Sequence, residues 1–242
     1  MKKLFLTLTA ALTVLAVNAD VKNAKPVFEL NCNAGDFSLL RDISPNNSKI
    51  VIHNQDKLGW CDGPDGKALE FVAEYPDPYT PRACLEVPQP KNFDATKGFT
   101  MLVKFKTCKN FDYKKRYQFM HLAQGTDNIT GFSIFFSWRT FQCRYGEKSK
   151  VAAHSNQSKV VFKADTWYEG AVVYDGKKMS VYINKELHGT EDKAQVPPIN
   201  KRCKLYIGAT SPTGAGYGCV GAISSIKLYQ EVFTAEDIAN LD

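Results

Sequence analysis

Past its first seventeen residues the chain has no apolar run long enough to span a bilayer, so no integral membrane segment is expected in the mature protein. It has no C-x-x-C pair, which removes zinc ribbons and thioredoxin-like redox motifs. It has no H-E-x-x-H and no G-x-S-x-G, so a zinc protease and a serine-elbow hydrolase lack their motifs. The histidines His53, His121, His154 and His188 are scattered, and each reads as an ordinary strand or loop residue. Nor does one charge dominate: the formal charge is +6, falling to about +4 once Lys2 and Lys3 are set aside. Over 242 residues that mild excess speaks of solubility and excludes a nucleic-acid footprint. With 44% hydrophobic and 23% charged residues, 16 Gly and 11 Pro, collagen, low-complexity disorder and a coiled coil are excluded too.

What is present begins with a leader. Lys2-Lys3 precedes the uncharged run Leu4 to Val17, and Val17-Asn18-Ala19 offers a cleavage site before Asp20. This predicts a signal peptide over 1–19, a mature domain over 20–242, and a secreted or periplasmic protein. Export makes disulfides the default for cysteines. Seven of them (Cys32, Cys61, Cys84, Cys108, Cys143, Cys203 and Cys219) leave one over, and Cys203 with Cys219, flanking an expected hairpin, is the first candidate bridge.

The mature chain reads as all-β. Phe99, Met101, Val103 and Phe105 alternate with Thr100, Leu102, Lys104 and Lys106, and Met179, Val181 and Ile183 alternate with Ser180, Tyr182 and Asn184. Further strand runs are 27–30, 50–53, 69–73, 84–87, 118–122, 131–138, 140–145, 159–162, 167–174, 205–208 and 220–229. About a dozen short strands separated by turn residues predict a two-layer antiparallel sandwich or barrel. Asp175-Gly176 is a hairpin-turn signal, and the proline-rich stretch 75–81 cannot be a central strand. One helix is expected at the C-terminus, with Thr234 as N-cap, Asp237 three residues on, and Phe233 and Ile238 as a staple.

The order of segments in the second half carries a resemblance. Trp167 to Tyr174, the Asp175-Gly176 turn, Met179 to Asn184, Leu205-Tyr206-Ile207-Gly208, Gly221 to Tyr229 and the closing Phe233 to Ile238 resemble the concanavalin-A-like, laminin-G-like superfamily. That resemblance implies a jelly-roll sandwich with a short C-terminal helix, and makes Trp167 a core anchor. Two departures stand out. Lys185 follows the strand asparagine where the family often has glycine, so that turn is longer or strained. Ser224-Ser225 replaces an acid that some relatives place near calcium, so no cofactor is expected and a structural calcium is disfavoured. Asp42, Asn46 and Asn47 offer oxygens, but turn-capping is their commoner role.

The superfamily includes hydrolases, lyases, lectins and adhesion modules, so the residues must decide between them. Retaining hydrolases of this fold set acids at alternate positions of one strand, and no strand run here does so. A lyase would want Q-x-H, whereas Gln118-Phe119-Met120-His121 has a different spacing. The expectation is therefore a non-catalytic module binding a carbohydrate or cell-surface ligand, with a carbohydrate-active enzyme or a ligand-free adhesion protein as alternatives. Sugars stack their C–H faces on aromatic rings and bond their hydroxyls to polar side chains. The candidate site is Trp138, Gln142, Arg144 and Tyr145, with Trp60 as a second wall; Phe132, Ile134, Phe136 and Trp138 share one parity, which is also a core pattern. The run Lys109, Lys114, Lys115 and Arg116, interleaved with Phe111, Tyr113 and Tyr117, is basic and aromatic and suits an acidic polysaccharide or a solvated loop.

Overall fold

Alternation builds the first layer. In β6 (Phe99–Thr107) the rings and methyls of Phe99, Met101, Val103 and Phe105 are buried, while Leu102, Lys104 and Lys106 are half-buried on the other side. β11 (Trp167–Tyr174) pairs with β6 in antiparallel register, Gly170 opposite Val103, and turns Tyr168, Val172 and Tyr174 to the same interior. The computed structural model describes residues 23–71, 81–123, 130–146, 150–154, 160–213 and 217–241. The expected signal segment 1–19 and the proline-rich stretch up to Thr80 lie outside them.

The remaining strands are β1 (Phe28–Asn31), β2 (Val51–His53), β3 (Leu58–Gly63), β4 (Gly66–Phe71), β5 (Cys84–Val87), β7 (Tyr117–Ala123), β8 (Gly131–Ser137), β9 (Thr140–Tyr145), β10 (Lys150–His154), β12 (Met179–Ile183), β13 (Glu186–Glu191), β14 (Leu205–Ile207) and β15 (Gly221–Tyr229). Sheet A runs β13-β12-β11-β6-β15-β4-β3, with β1 beside β15; sheet B runs β10-β9-β8-β7-β14-β5-β2. β12 and β13 lie against β9 and β10, so β3 and β2 mark the opposite side of an antiparallel sandwich.

Aromatic rings join the layers. Phe105 of sheet A lies 4.4 Å from Phe119 and 5.8 Å from Phe141 of sheet B, and Phe99 stacks at 4.5 Å on Phe132. Each such ring contributes on the order of 2–3 kcal/mol by burial. Gly170 is required here, because a Cβ would sit 2.6 Å from the Phe141 ring.

A second, smaller cluster covers the outside of sheet A. The helix α1 (Ala235–Ala239) starts at Thr234, whose hydroxyl accepts from Asp237 N while the Asp237 carboxylate accepts from Thr234 N, the expected reciprocal cap. Its Ile238, with Phe233, packs on Ala171, Val173, Tyr182 and Tyr229. Asn184 and Lys185 form a two-residue β12–β13 turn, both left-handed (φ +49° and +70°). The turn is thus strained rather than long, and the Lys185 ammonium donates to Leu241 O beyond the helix.

Several expectations are corrected. Residues 160–162 form no strand, and Val161 is exposed. The β11–β12 connection has four residues, with the Asp175 carboxylate accepting from Lys177 N and Lys178 N. Trp167 is only half-buried beside Lys106; Tyr168, Val172 and Tyr174 anchor its strand instead. All seven cysteines are free thiols. Cys219 N–H bonds to Gly208 O, five residues along from Cys203. That offset is on the order of 15 Å in extended chain, whereas a disulfide needs Cα atoms within about 7 Å. Burial pushes the Cys32 and Cys84 thiols up to about 12, which makes them poor nucleophiles. β3, β10 and β13 have no counterpart among the expected runs, since Gly, charge and short length mask their alternation.

Asp42 acts as a turn cap. Its carboxylate accepts from Glu29 N (3.0 Å), Ser44 N (3.0 Å) and Ser48 N (2.9 Å), and Asn46 Nδ2 donates to Val27 O and Lys91 O. These oxygens already serve backbone donors, and no group of metal-ligating side chains occurs among the described residues.

Candidate functional site

The outer face of sheet B carries the densest polar chemistry. Its register sets Glu86 of β5, Tyr206 of β14, His121 of β7, Ser133 of β8 and Arg144 of β9 in one transverse row. A bulge between Gln118 and Met120 shifts β7 by one residue, which brings Gln118 and His121 to this same face despite their spacing. The Gln118 amide fills the bulge by donating to Met120 O (2.6 Å) and Ile134 O (2.9 Å) and reaches Ser133 Oγ (3.0 Å). Arg116 also donates to Ser133 Oγ (3.3 Å) and to Gln118 Oε1 (3.0 Å). Ser133 Oγ also lies 3.0 Å from His121 Nδ1, which joins the imidazole to the network.

Aromatic rings clamp this network. The Arg116 guanidinium lies between Phe135 (3.7 Å) and Tyr217 (4.2 Å), and Arg144 lies 5.1 Å from the same Phe135 ring. Arg116, Gln118, His121, Ser133 and Phe135 are all buried. In this arrangement the belt braces the sheet, and exposed side chains occur at its ends.

One end is the β8–β9 hairpin. Ser137 pairs with Thr140, so Trp138 and Arg139 are the whole loop, with φ of +51° and +68°. Such a turn favours Asn-Gly, because side chains beyond Asn and Asp cost energy in the left-handed region. Here the strain is held from two sides. Thr140 Oγ1 and Gln142 Nε2 both donate to Ser137 O (2.7 and 3.0 Å), and Arg139 N donates to Tyr113 O (3.1 Å). The Arg139 guanidinium covers the Tyr113 ring at 3.9 Å, with Lys114 on that ring at 5.9 Å. Asp112 sets this neighbouring loop by accepting from Lys114 N on its carboxylate and donating its own N–H to Tyr117 Oη. The outcome is a rim of exposed Tyr113, Lys114, Trp138 and Arg139, in which Trp138 is 69% exposed.

The expected site residues separate accordingly. Trp138 is at the rim rather than in the core, despite sharing parity with Phe136. Gln142 and Arg144 share the outer face, Gln142 bracing the Trp138 turn and Arg144 half-buried against Phe135. Tyr145 faces inward and belongs to the core. Trp60 lies on β3, packed on Phe37 at 5.0 Å, on the side of the sandwich away from β9. Arg139 and the Tyr113 platform are additions from the structure. The basic-aromatic run divides: Phe111 and Tyr117 join the core, Arg116 is buried in the outer-face network of sheet B, and Tyr113 and Lys114 are exposed.

A groove of about 340 Å³ lies on the outside of sheet A, lined by Leu102, Tyr229, Ile238 and Leu241. Two of its three lysines are already paired with carboxylates: Lys104 with Asp65 (3.1 Å) and Glu169 (3.4 Å), and Lys227 with Glu29 (3.2 Å). No described helix is long and apolar enough to cross a membrane.

Comparison with known proteins adds the following. A family model described as the Concanavalin A-like lectin/glucanases superfamily matches residues 83–239. No curated protein matched by sequence. Solved structures of similar fold include the binding domain of botulinum neurotoxin serotype C1, at TM-score 0.61 and 12% identity, covering 91% of this chain and 52% of that one. The binding domain of Paraclostridial Mosquitocidal Protein 1 matches at TM-score 0.63 and 14% identity, covering 89% and 51%. The binding domain of botulinum neurotoxin DC in complex with SialylT matches at 0.63 and 13%, covering 89% and 50%. This chain spans about half the length of those structures, and at such identity the likeness is one of fold.

Proposed function

Because the chain belongs to the concanavalin A-like lectin/glucanase superfamily, we propose that it is an exported carbohydrate-binding module that grips its ligand at the β8–β9 rim. The observation that carries the proposal is Trp138, a large ring left exposed on a turn whose backbone disfavours it. A strained, solvent-facing aromatic is costly unless it makes a contact. The indole offers a stacking face for a pyranose ring, and Arg139 and Lys114 offer donors to its hydroxyl or carboxylate oxygens. A binding domain of similar fold was solved in complex with SialylT, which supports a glycan as the class of ligand.

The test is a glycan array followed by calorimetry on the best hit. The native protein is expected to bind and Trp138→Ala to lose most of the affinity; equal binding by both would refute the rim as the site.

A second reading has one observation behind it: the β7 bulge places Gln118 and His121 together with Arg116 and Arg144, a set suited to an acidic-polysaccharide lyase. Unsaturated product from a uronate polymer, lost in His121→Ala, would displace the binding reading.

A further inference from the structure

We infer that the end of sheet B where β2, β5 and β14 meet is a second binding site, built for a polysaccharide chain carrying sulfate or carboxylate groups. It is independent of the Trp138 rim, which lies at the other end of these strands.

The site is a groove of about 330 Å³ lined by Lys49, Lys201, Arg202 and Lys204, with Glu86 as its one carboxylate. Register explains the convergence. Val51 and Tyr206 both face Glu86, so continuing the antiparallel ladders sets Lys49 and Lys204 on either side of Pro88. A tight turn then supplies the other two cations: Cys203 N donates to Asn200 O (2.9 Å) and Arg202 N to Asn200 Oδ1 (3.0 Å), which leaves Lys201 and Arg202 exposed at its corners.

Glu86 is engaged by Lys204 on one oxygen and by His53 on the other at 3.1 Å, so it orients Lys204 and cannot neutralise the rest. Among the described residues no carboxylate pairs with Lys49, Lys201 or Arg202. Lys49 and Lys204 stand two strand spacings apart, about 9–10 Å. That separation suits charges repeated along a chain better than one compact anion. No aromatic ring lines the groove, so neither stacking on a neutral sugar nor anchoring in a lipid interface is provided.

The experiment compares dextran sulfate with uncharged dextran by calorimetry on the mature protein. Dextran sulfate is expected to bind, weakening steeply between about 50 and 200 mM salt, and dextran to be inert. Lys201→Glu with Arg202→Glu should lower that affinity at least about tenfold. The equal charge change Lys177→Glu with Lys193→Glu should leave it unchanged. All these side chains are exposed, and circular dichroism checks each fold. Unchanged affinity in the Lys201/Arg202 variant, or an equal loss in the Lys177/Lys193 variant, overturns the inference. So does binding confined to anionic phosphatidylserine vesicles.

Discussion

Replacing Trp138-Arg139 with Asn-Gly is expected to raise the melting temperature while silencing glycan binding. Both residues hold left-handed φ angles, which cost a residue with a full side chain roughly 1–2 kcal/mol and Asn or Gly much less. The exchange loses the Arg139–Tyr113 ring contact, worth about 0.5–1 kcal/mol at an exposed site. Two such residues less that contact leave a gain of roughly 1–3 kcal/mol, at about 2–4 °C for each kcal/mol in a chain of this size. A central tryptophan typically supplies at least about 2 kcal/mol of binding energy, so affinity should fall about thirtyfold or more. Calorimetric melting and the array hit together read both halves. A lower melting temperature with binding intact would mean that the turn serves the fold.

Asp42→Ala should cost about 3 kcal/mol, read from urea unfolding at neutral pH. The substitution strands the amides of Glu29, Ser44 and Ser48 beneath β1, and each buried orphan costs about 1–3 kcal/mol. Burial works against ionisation of Asp42, but the Ser44 hydroxyl and the three amides outweigh it and hold the carboxyl below the usual carboxylate range. A depressed pKa stabilises the fold above the unfolded value of about 3.9 and loses that contribution as pH falls through the folded value. The gap between native and variant should therefore be full at pH 7 and narrow on acidification below about pH 4. A constant gap across that range would show that the charge is irrelevant and only the side-chain volume matters.

The layers were legible because period two needs no tertiary information. Phe99 to Phe105 and Met179 to Ile183 declare their inner faces by alternation alone. Thr234 and Asp237 declare the helix start by local hydrogen bonding. The site was legible only in part. Trp138 belongs to the parity of Phe132 to Phe136, and nothing local says that the chain reverses at Ser137 without Asn or Gly. The brace that permits it comes from Tyr113, distant in sequence, and from Gln142 across the hairpin. Likewise, the Phe119 bulge inverts the parity of β7, so a strict count of alternation separates Gln118 from His121 when the sheet unites them. Tyr145 was misplaced for a simpler reason: it keeps the inward parity of Phe141 and Cys143.

The most direct measurement uses the indole itself. Trp60 and Trp167 exchanged for Phe leave Trp138 as the only tryptophan, and its emission is followed while the array-selected glycan is titrated in. A saturable blue shift with the same affinity as calorimetry is the predicted result, since the sugar would cover a ring that now faces water. Heat of binding with an unmoved spectrum would place the ligand elsewhere on the sandwich and contradict the account.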